Sequence, residues 1–222
     1  MKKDLLAQDV KIIKPLLETL PVQWDAKNAI LEMKDGGYSQ WRQMEWIGFY
    51  FQYLCEKALG SVMKIQEPKY GRTSFDGLLN YPWDFKVHPI NTEQHNVITN
   101  DREATELAIK EYGATGLILA LGNVVYNDES RTFQKWHEDL KGGKSKYEME
   151  RIQRGAWSRL RKTSFDLKQI LFIKIDDETL GKTGSFQEDF RNSNGNPRRA
   201  KVLLKLDSLD DEIIDSIDWP RT

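Results

Sequence analysis

The chain predicts an α/β fold in which a mixed central sheet is flanked by helices, with a helical addition before it and a basic addition after it. Three observations carry this. From residue 39 to residue 121 the hydrophobic periods run helix, strand, strand, strand, helix, strand. The last strand, Thr115 to Leu121, is apolar almost throughout. Such a strand, reached through a helix, is expected to pair in parallel within a sheet covered on both faces. In the middle of this order, Ser74 to His88 reads as two short strands with charged residues set among apolar ones.

The elements follow in order. Leu5, Leu6, Val10, Ile13, Leu16, Leu17 and Leu20 fall at helical spacing, which predicts a helix over about 3–20, bent or restarted near Pro15 and closed by Pro21. A second helix from about Trp24 to Lys34 ends at Gly36-Gly37. Ser39 is placed to cap a long third helix running to Leu59, with Gly60 as its terminator. On that helix Glu45, Phe49, Gln52 and Glu56 make one stripe by three- and four-residue steps. Val62 to Ile65 is the first strand, the hairpin supplies the second and third, and Pro89 to Asn100 is a loop. Asp101 caps a helix through Tyr112, which Gly113 stops. Beyond the fourth strand, Phe133 to Leu140 is helix-like, Gln169 to Ile175 is a strand, and Asp207 to Asp218 reads as an acidic helix.

The hairpin holds the candidate chemistry. With the turn at Leu79, Asn80 and Tyr81, residues whose numbers sum to 160 pair, so Asp76 lies across from Asp84 with side chains roughly 5 Å apart. Asp84 and Lys86 share a face while Phe85 points the other way. Two carboxylates so close call for a cation, and hard oxygen ligands suit Mg²⁺. An acid, any residue and a lysine occur seven times, at Asp9, Asp25, Glu32, Glu67, Asp84, Asp139 and Asp166, so spacing alone is weak. Asp84 is singled out by the paired acid upstream and by the helix and strand that follow, which Asp166 lacks.

In element order and acid placement, residues 39–121 resemble the core of the PD-(D/E)xK nuclease superfamily, and the Trp83-Asp84-Phe85-Lys86 run is most like type II restriction endonucleases. The resemblance implies a restriction-endonuclease-like αβββαβ core. It also implies that Asp76 and Asp84 hold Mg²⁺, that Glu45 assists as the helix-borne acid, with Glu56 the alternative, and that Lys86 serves the attacking water. Phe75 stands where the family often has proline.

The C-terminal half supplies positive charge, with 16 Lys and Arg against eight acids from Lys141 to Lys205. Arg151, Arg154, Arg159, Arg161 and Lys162 fall within twelve residues that contain no acid, with Trp157 among them. A second cluster, Arg191 to Arg199, contains Asn192, Asn194, Asn196, Arg198 and Arg199 in a loop-forming composition. Lys and Arg neutralise phosphates, and Arg and Asn are natural partners of guanine and adenine edges. Duplex DNA is therefore the expected partner, with the first cluster on phosphates and the second on bases. The ordinary alternative is a solvated helix and a surface loop.

Bulk properties exclude other classes. At 222 residues and net charge −1, one domain is expected and total charge announces no polyanion. The single Cys55 excludes an internal disulfide and suits a cytoplasmic protein. No apolar run approaches the roughly 18 residues of a membrane span. His88, His95 and His137 lack metal-site spacing, and no P-loop or G-x-G-x-x-G motif occurs. The expected function is a Mg²⁺-dependent, sequence-specific endonuclease acting as a twofold homodimer, with the first 35 residues as a candidate dimer surface. The alternatives are a structure-selective repair nuclease or junction resolvase, and a non-enzymatic DNA-binding regulator.

Overall fold

Helical periodicity at the N-terminus becomes α1 (Leu5–Leu17), which continues through Pro15 for two further residues. Its apolar stripe of Leu6, Val10, Ile13 and Leu17 is buried in the chain's own core. That stripe is therefore not open to a second copy, contrary to the expected dimer surface. The computed structural model of the chain describes residues 5–66, 75–93, 96–156, 158–182, 184–187 and 199–220. Trp24 belongs to a short strand, β1 (Gln23–Asp25), and Asp25 caps α2 (Ala26–Asp35) by accepting the Asn28 amide.

The expected long helix from Ser39 is divided into a 3₁₀ turn (Ser39–Arg42) and α3 (Trp46–Leu59). In a continuous helix the Trp41 carbonyl would accept from residue 45. It faces His137 Nε2 at 3.0 Å instead, while the Trp46 indole donates to the Lys162 carbonyl at 2.8 Å. These tertiary partners separate the two segments. Burial pushes the His137 pKa down to about 4, with Lys141 adding to the effect, so the neutral ring serves as a structural donor.

Next come β2 (Lys64–Ile65), β3 (Gly77–Leu78), β4 (Pro82–Pro89) and β5 (Asn96–Asp101), the last falling where a loop was expected. Asp101 precedes α4 (Arg102–Tyr112), which ends at Gly113 with φ of 90°, a left-handed closure that glycine adopts without strain. The apolar strand is β6 (Thr115–Val125), followed by α5 (Thr132–Leu140), α6 (Lys146–Gln153) and β7 (Ser164–Ile175). The chain then forms α7 (Asp177–Lys182), β8 (Gly184–Gln187), β9 (Lys201–Lys205) and β10 (Ile213–Asp218). The expected acidic helix is thus two 3₁₀ turns and a strand: β10 pairs antiparallel with β7, Ile217 enters the core, and Asp215 meets Lys14 at 2.8 Å.

Among the described residues, a mixed sheet of seven strands runs β1-β7-β6-β4-β3-β2, with β10 beside β1 on β7, and helices flank it. As the apolar crossover strand predicts, β4 and β6 are parallel, and β6 and β7 are antiparallel. Ile118, Ala120, Ile170 and Phe172 face the core that α1, α2 and α3 cover; Leu117, Leu119, Leu171 and Ile173 face a second core, which includes Ile109 of α4 and Val202 and Leu204 of β9. A smaller sheet, β5-β9-β8, lies apart from the first. No helix of the described residues is long and apolar enough to cross a membrane.

Trp83 is fully buried and lies flat on β6 at Gly116, its register partner. A Cβ at Gly116 would overlap the Trp83 ring. Gly116→Ala is expected to lower stability by about 1–3 kcal/mol, since a ring held on both sides cannot step aside. Urea unfolding checks this.

Candidate active site

The β3–β4 hairpin pairs Gly77 with Trp83 and Leu78 with Pro82, the register in which residue numbers sum to 160. One step further, Asp76 faces Asp84. Lys86 Nζ lies 2.7 Å from Asp84 Oδ1 and 3.9 Å from Asp76 Oδ2. Asp76 accepts the Phe85 amide at 2.7 Å and the Gln52 amide group at 2.9 Å. The structure thus brings Asp76, Asp84 and Lys86 together, and adds Gln52 from α3.

Asp84 is only 4% exposed, and its Oδ2 has no hydrogen-bond partner. An unsatisfied buried carboxylate oxygen is costly, on the order of 1–3 kcal/mol or more. Burial pushes the Asp76 pKa up to about 8 against the pull of Lys86, and Asp84 adds to the rise. Burial by itself draws the Lys86 pKa down, but Asp84 and Asp76 overrule it and hold the ammonium above its ordinary value. Lys86 is therefore a firmly charged neighbour of two acids.

Glu56 lies one turn beyond Gln52 on α3. Burial raises its pKa to about 7, against the pull of a hydrogen bond with the neighbouring Tyr38 hydroxyl. Glu45 stands elsewhere than expected: it precedes α3 as the capping residue, is exposed, and pairs with Lys162 at 2.6 Å. Of the two helix acids weighed from sequence, Glu56 acts with Asp76 on the same neighbours, Tyr38 and Cys55, and Glu45 sits at the rim. Gln52 lay on the same predicted stripe, so its position was readable though its role was not. Tyr38 gave no signal.

A cleft of about 330 Å³ opens beside Lys86, lined among others by Glu45, Phe49, Gln52, Phe85 and Lys162. A second cleft, about 780 Å³, shares Glu45, Pro89 and Lys162 with it and is lined by Arg151, Arg154, Arg159 and Arg161. Sharing these residues, the two make one trough that runs from beside Lys86 and Gln52 into positive charge. Arg131 holds part of its wall, its guanidinium donating to the Ser158 and Arg159 carbonyls at 3.0 Å. Arg154 and Arg159 are exposed, whereas Arg161 is buried, one guanidinium nitrogen lacking a partner. Glu148, Glu138 and Glu45 all act on Arg161 electrostatically, so it is tied into the wall more than Arg154 and Arg159. Arg199 stands 3.7 Å from Glu103 of α4 and does not line this trough. Asn192, Asn194, Asn196 and Arg198, with His95 and Trp157, lie outside the described residues.

The described residues contain no group of three or more His, Cys, Asp or Glu side chains arranged to hold a metal ion. Mg²⁺, however, is commonly bound by one or two carboxylates plus water and substrate phosphate. The opposed Asp76 and Asp84, with Asp84 Oδ2 unpartnered, fit that donor set.

These shifts make stability depend on pH. Above the ordinary His range, His137 is neutral folded and unfolded, which leaves Glu56 and, as the larger difference, Asp76. Its folded pKa of about 8 exceeds the unfolded value, so the folded state holds the extra proton and loses stability as pH rises toward 8. Metal-free protein is expected to unfold at lower urea at pH 8 than at about pH 6.5, the loss at the two acids exceeding the small gain as unfolded His137 gives up its part-held proton. Asp76→Asn should shrink that difference to the part that Glu56 supplies.

No family model matches the chain, and no curated protein does. Among solved structures, a crystal structure of the restriction endonuclease BglI bound to its DNA recognition sequence is similar at a TM-score of 0.39 and 11% identity, over 97% of this chain and 87% of that one. That likeness is too slight to carry a substrate or a residue role across.

Proposed function

We propose that the chain is a Mg²⁺-dependent endodeoxyribonuclease that hydrolyses phosphodiester bonds of duplex DNA at a specific sequence, in the manner of type II restriction enzymes. The observation that carries this reading is the Asp76–Asp84 pair, Asp84 buried with an unpartnered oxygen, whose attendant Lys86 lines a trough walled further on by arginines.

Asp76 and Asp84 would hold the cation, with Glu56 supporting them from α3 and Glu45 acting from the rim, directly or through water. When bound, Mg²⁺ supplies Lewis acidity and offsets phosphate charge. Lys86 keeps its proton next to the acids, so its part is to hold positive charge toward the phosphate and orient the attacking water. Gln52 fixes the Asp76 carboxylate. Arg151, Arg154, Arg159 and Lys162 would receive backbone phosphates, which position the duplex without reading it. Base reading is assigned to Asn192, Asn194, Asn196 and Arg198, and not to Arg199, which faces Glu103 of α4. Cutting both strands of a symmetric site needs two such centres, so the active form would be a twofold homodimer.

The test is digestion of defined linear duplexes, branched DNA and random DNA in Mg²⁺, followed by mapping of ends. Discrete fragments from linear duplex support the proposal. Cutting confined to branches would make the chain a junction resolvase, and binding without cutting a regulator. Neutralising Arg154 and Arg159 together should weaken binding to all sequences and flatten its salt dependence by about one unit of slope per lost phosphate contact. An unchanged slope in a binding titration would take these arginines out of the interface.

A further inference from the structure

We infer that Asp9, on α1, is a positioning residue that sets the register of the hairpin bearing Asp76 and Asp84, an assignment that rests on the nuclease reading of that hairpin. Asp9 is fully buried on the apolar stripe of α1, between Leu6 and Ile13. Its carboxylate accepts four donors, all from the hairpin. Oδ1 takes the Asn80 side-chain amide at 2.6 Å, and Oδ2 takes the Asn80 and Tyr81 backbone amides at 3.2 and 3.1 Å and the Trp83 indole at 3.0 Å.

The hairpin needs such a grip because its own ladder is short: β3 contributes only Gly77 and Leu78. Ladders of this length are marginal, and a slip of one residue would turn Asp76 to the opposite face from Asp84. Asp9 holds the turn at its apex and also holds Trp83, whose ring is seated on Gly116. With Trp83 fixed, strand alternation sends the next side chain, Asp84, to the other face. The Phe85 amide, which donates to Asp76, reports whether Asp76 occupies its place opposite β4.

Asp9→Leu removes all four acceptors and keeps a side chain suited to an apolar helix face; Asp9→Asn keeps one acceptor oxygen, and the Asn80 amide can turn to meet the new NH₂. In metal-free Asp9→Leu, hydrogen exchange at the Phe85 amide should accelerate at least about tenfold while β6–β7 amides keep their protection, and the Trp83 indole resonance should move. Affinity for Mg²⁺ by calorimetry should fall about tenfold or more, with Asp9→Asn recovering most of both losses. Should Asp9→Leu not fold, Trp83→Phe, which deletes the indole donor together with part of the ring, should still speed Phe85 exchange severalfold. A variant that melts lower but keeps wild-type Phe85 protection and Mg²⁺ affinity would reduce Asp9 to a stabilising contact and overturn the inference. Wild-type protein that neither binds Mg²⁺ nor cuts DNA would defeat the nuclease reading instead, and the Phe85 measurement would still decide whether Asp9 sets the register.

Discussion

Asp84→Ala is expected to abolish Mg²⁺-dependent cleavage while leaving DNA binding by the basic trough intact. Asp84 is 4% exposed and supplies the unpartnered oxygen of the acid pair, so its loss leaves Asp76 alone to hold a cation beside the Lys86 ammonium. One carboxylate already paired with a lysine offers Mg²⁺ little. The arginines of the trough stand on and after α6 and on the extended segment before β7, elements other than the strand that carries Asp84. Removing Asp84 also lifts the repulsion on Asp76. The metal-free variant should therefore tolerate alkaline pH better than the wild type. The checks are single-turnover cleavage of a mapped site, salt-dependent binding, and thermal melts with and without Mg²⁺. Wild-type protein should gain melting temperature from Mg²⁺ and Asp84→Ala should not. A variant with undiminished turnover would sink the site.

Lys86→Ala should lower the cleavage rate by about 10²- to 10⁴-fold, the range over which charge-stabilising and proton-handling groups act. The same change should reduce metal-free stability by about 1–3 kcal/mol, between exposed and buried ion pairs, because Lys86 is the cation that pairs with both Asp76 and Asp84. That loss should be larger at pH 8 than at pH 6.5, since Asp76, no longer drawn down by Lys86, must then give up its proton, and Mg²⁺ should recover it. Lys86→Arg is expected to restore folding but little cleavage. A planar guanidinium would clasp the two carboxylates with its fork and close them to a cation, where the ammonium makes one short contact. High activity in Lys86→Arg would mean that charge alone suffices. Near-normal cleavage by well-folded Lys86→Ala would remove the lysine from the mechanism.

Local pattern determined most of the core. The apolar run of β6 made parallel pairing with β4 legible, because a strand covered on both faces has no polar alternation to keep. The turn residues between β3 and β4 made the sum-of-160 register legible, and with it the meeting of Asp76, Asp84 and Lys86. The stripe along α3 carried Gln52, which meets Asp76, although its position and not its role was legible. Tertiary partners decided the rest. His137 and Lys162 draw Trp41 and Trp46 apart, which divides the expected long helix and moves Glu45 from its face to its cap. β10 is a strand because β7 has an unfilled edge, whatever the acids of 207–218 favour locally. Asp9 lay in plain view as a charge on a buried stripe. Its meaning depended on a hairpin some seventy residues away folding back to supply four donors, and contacts that distant leave no period in the sequence.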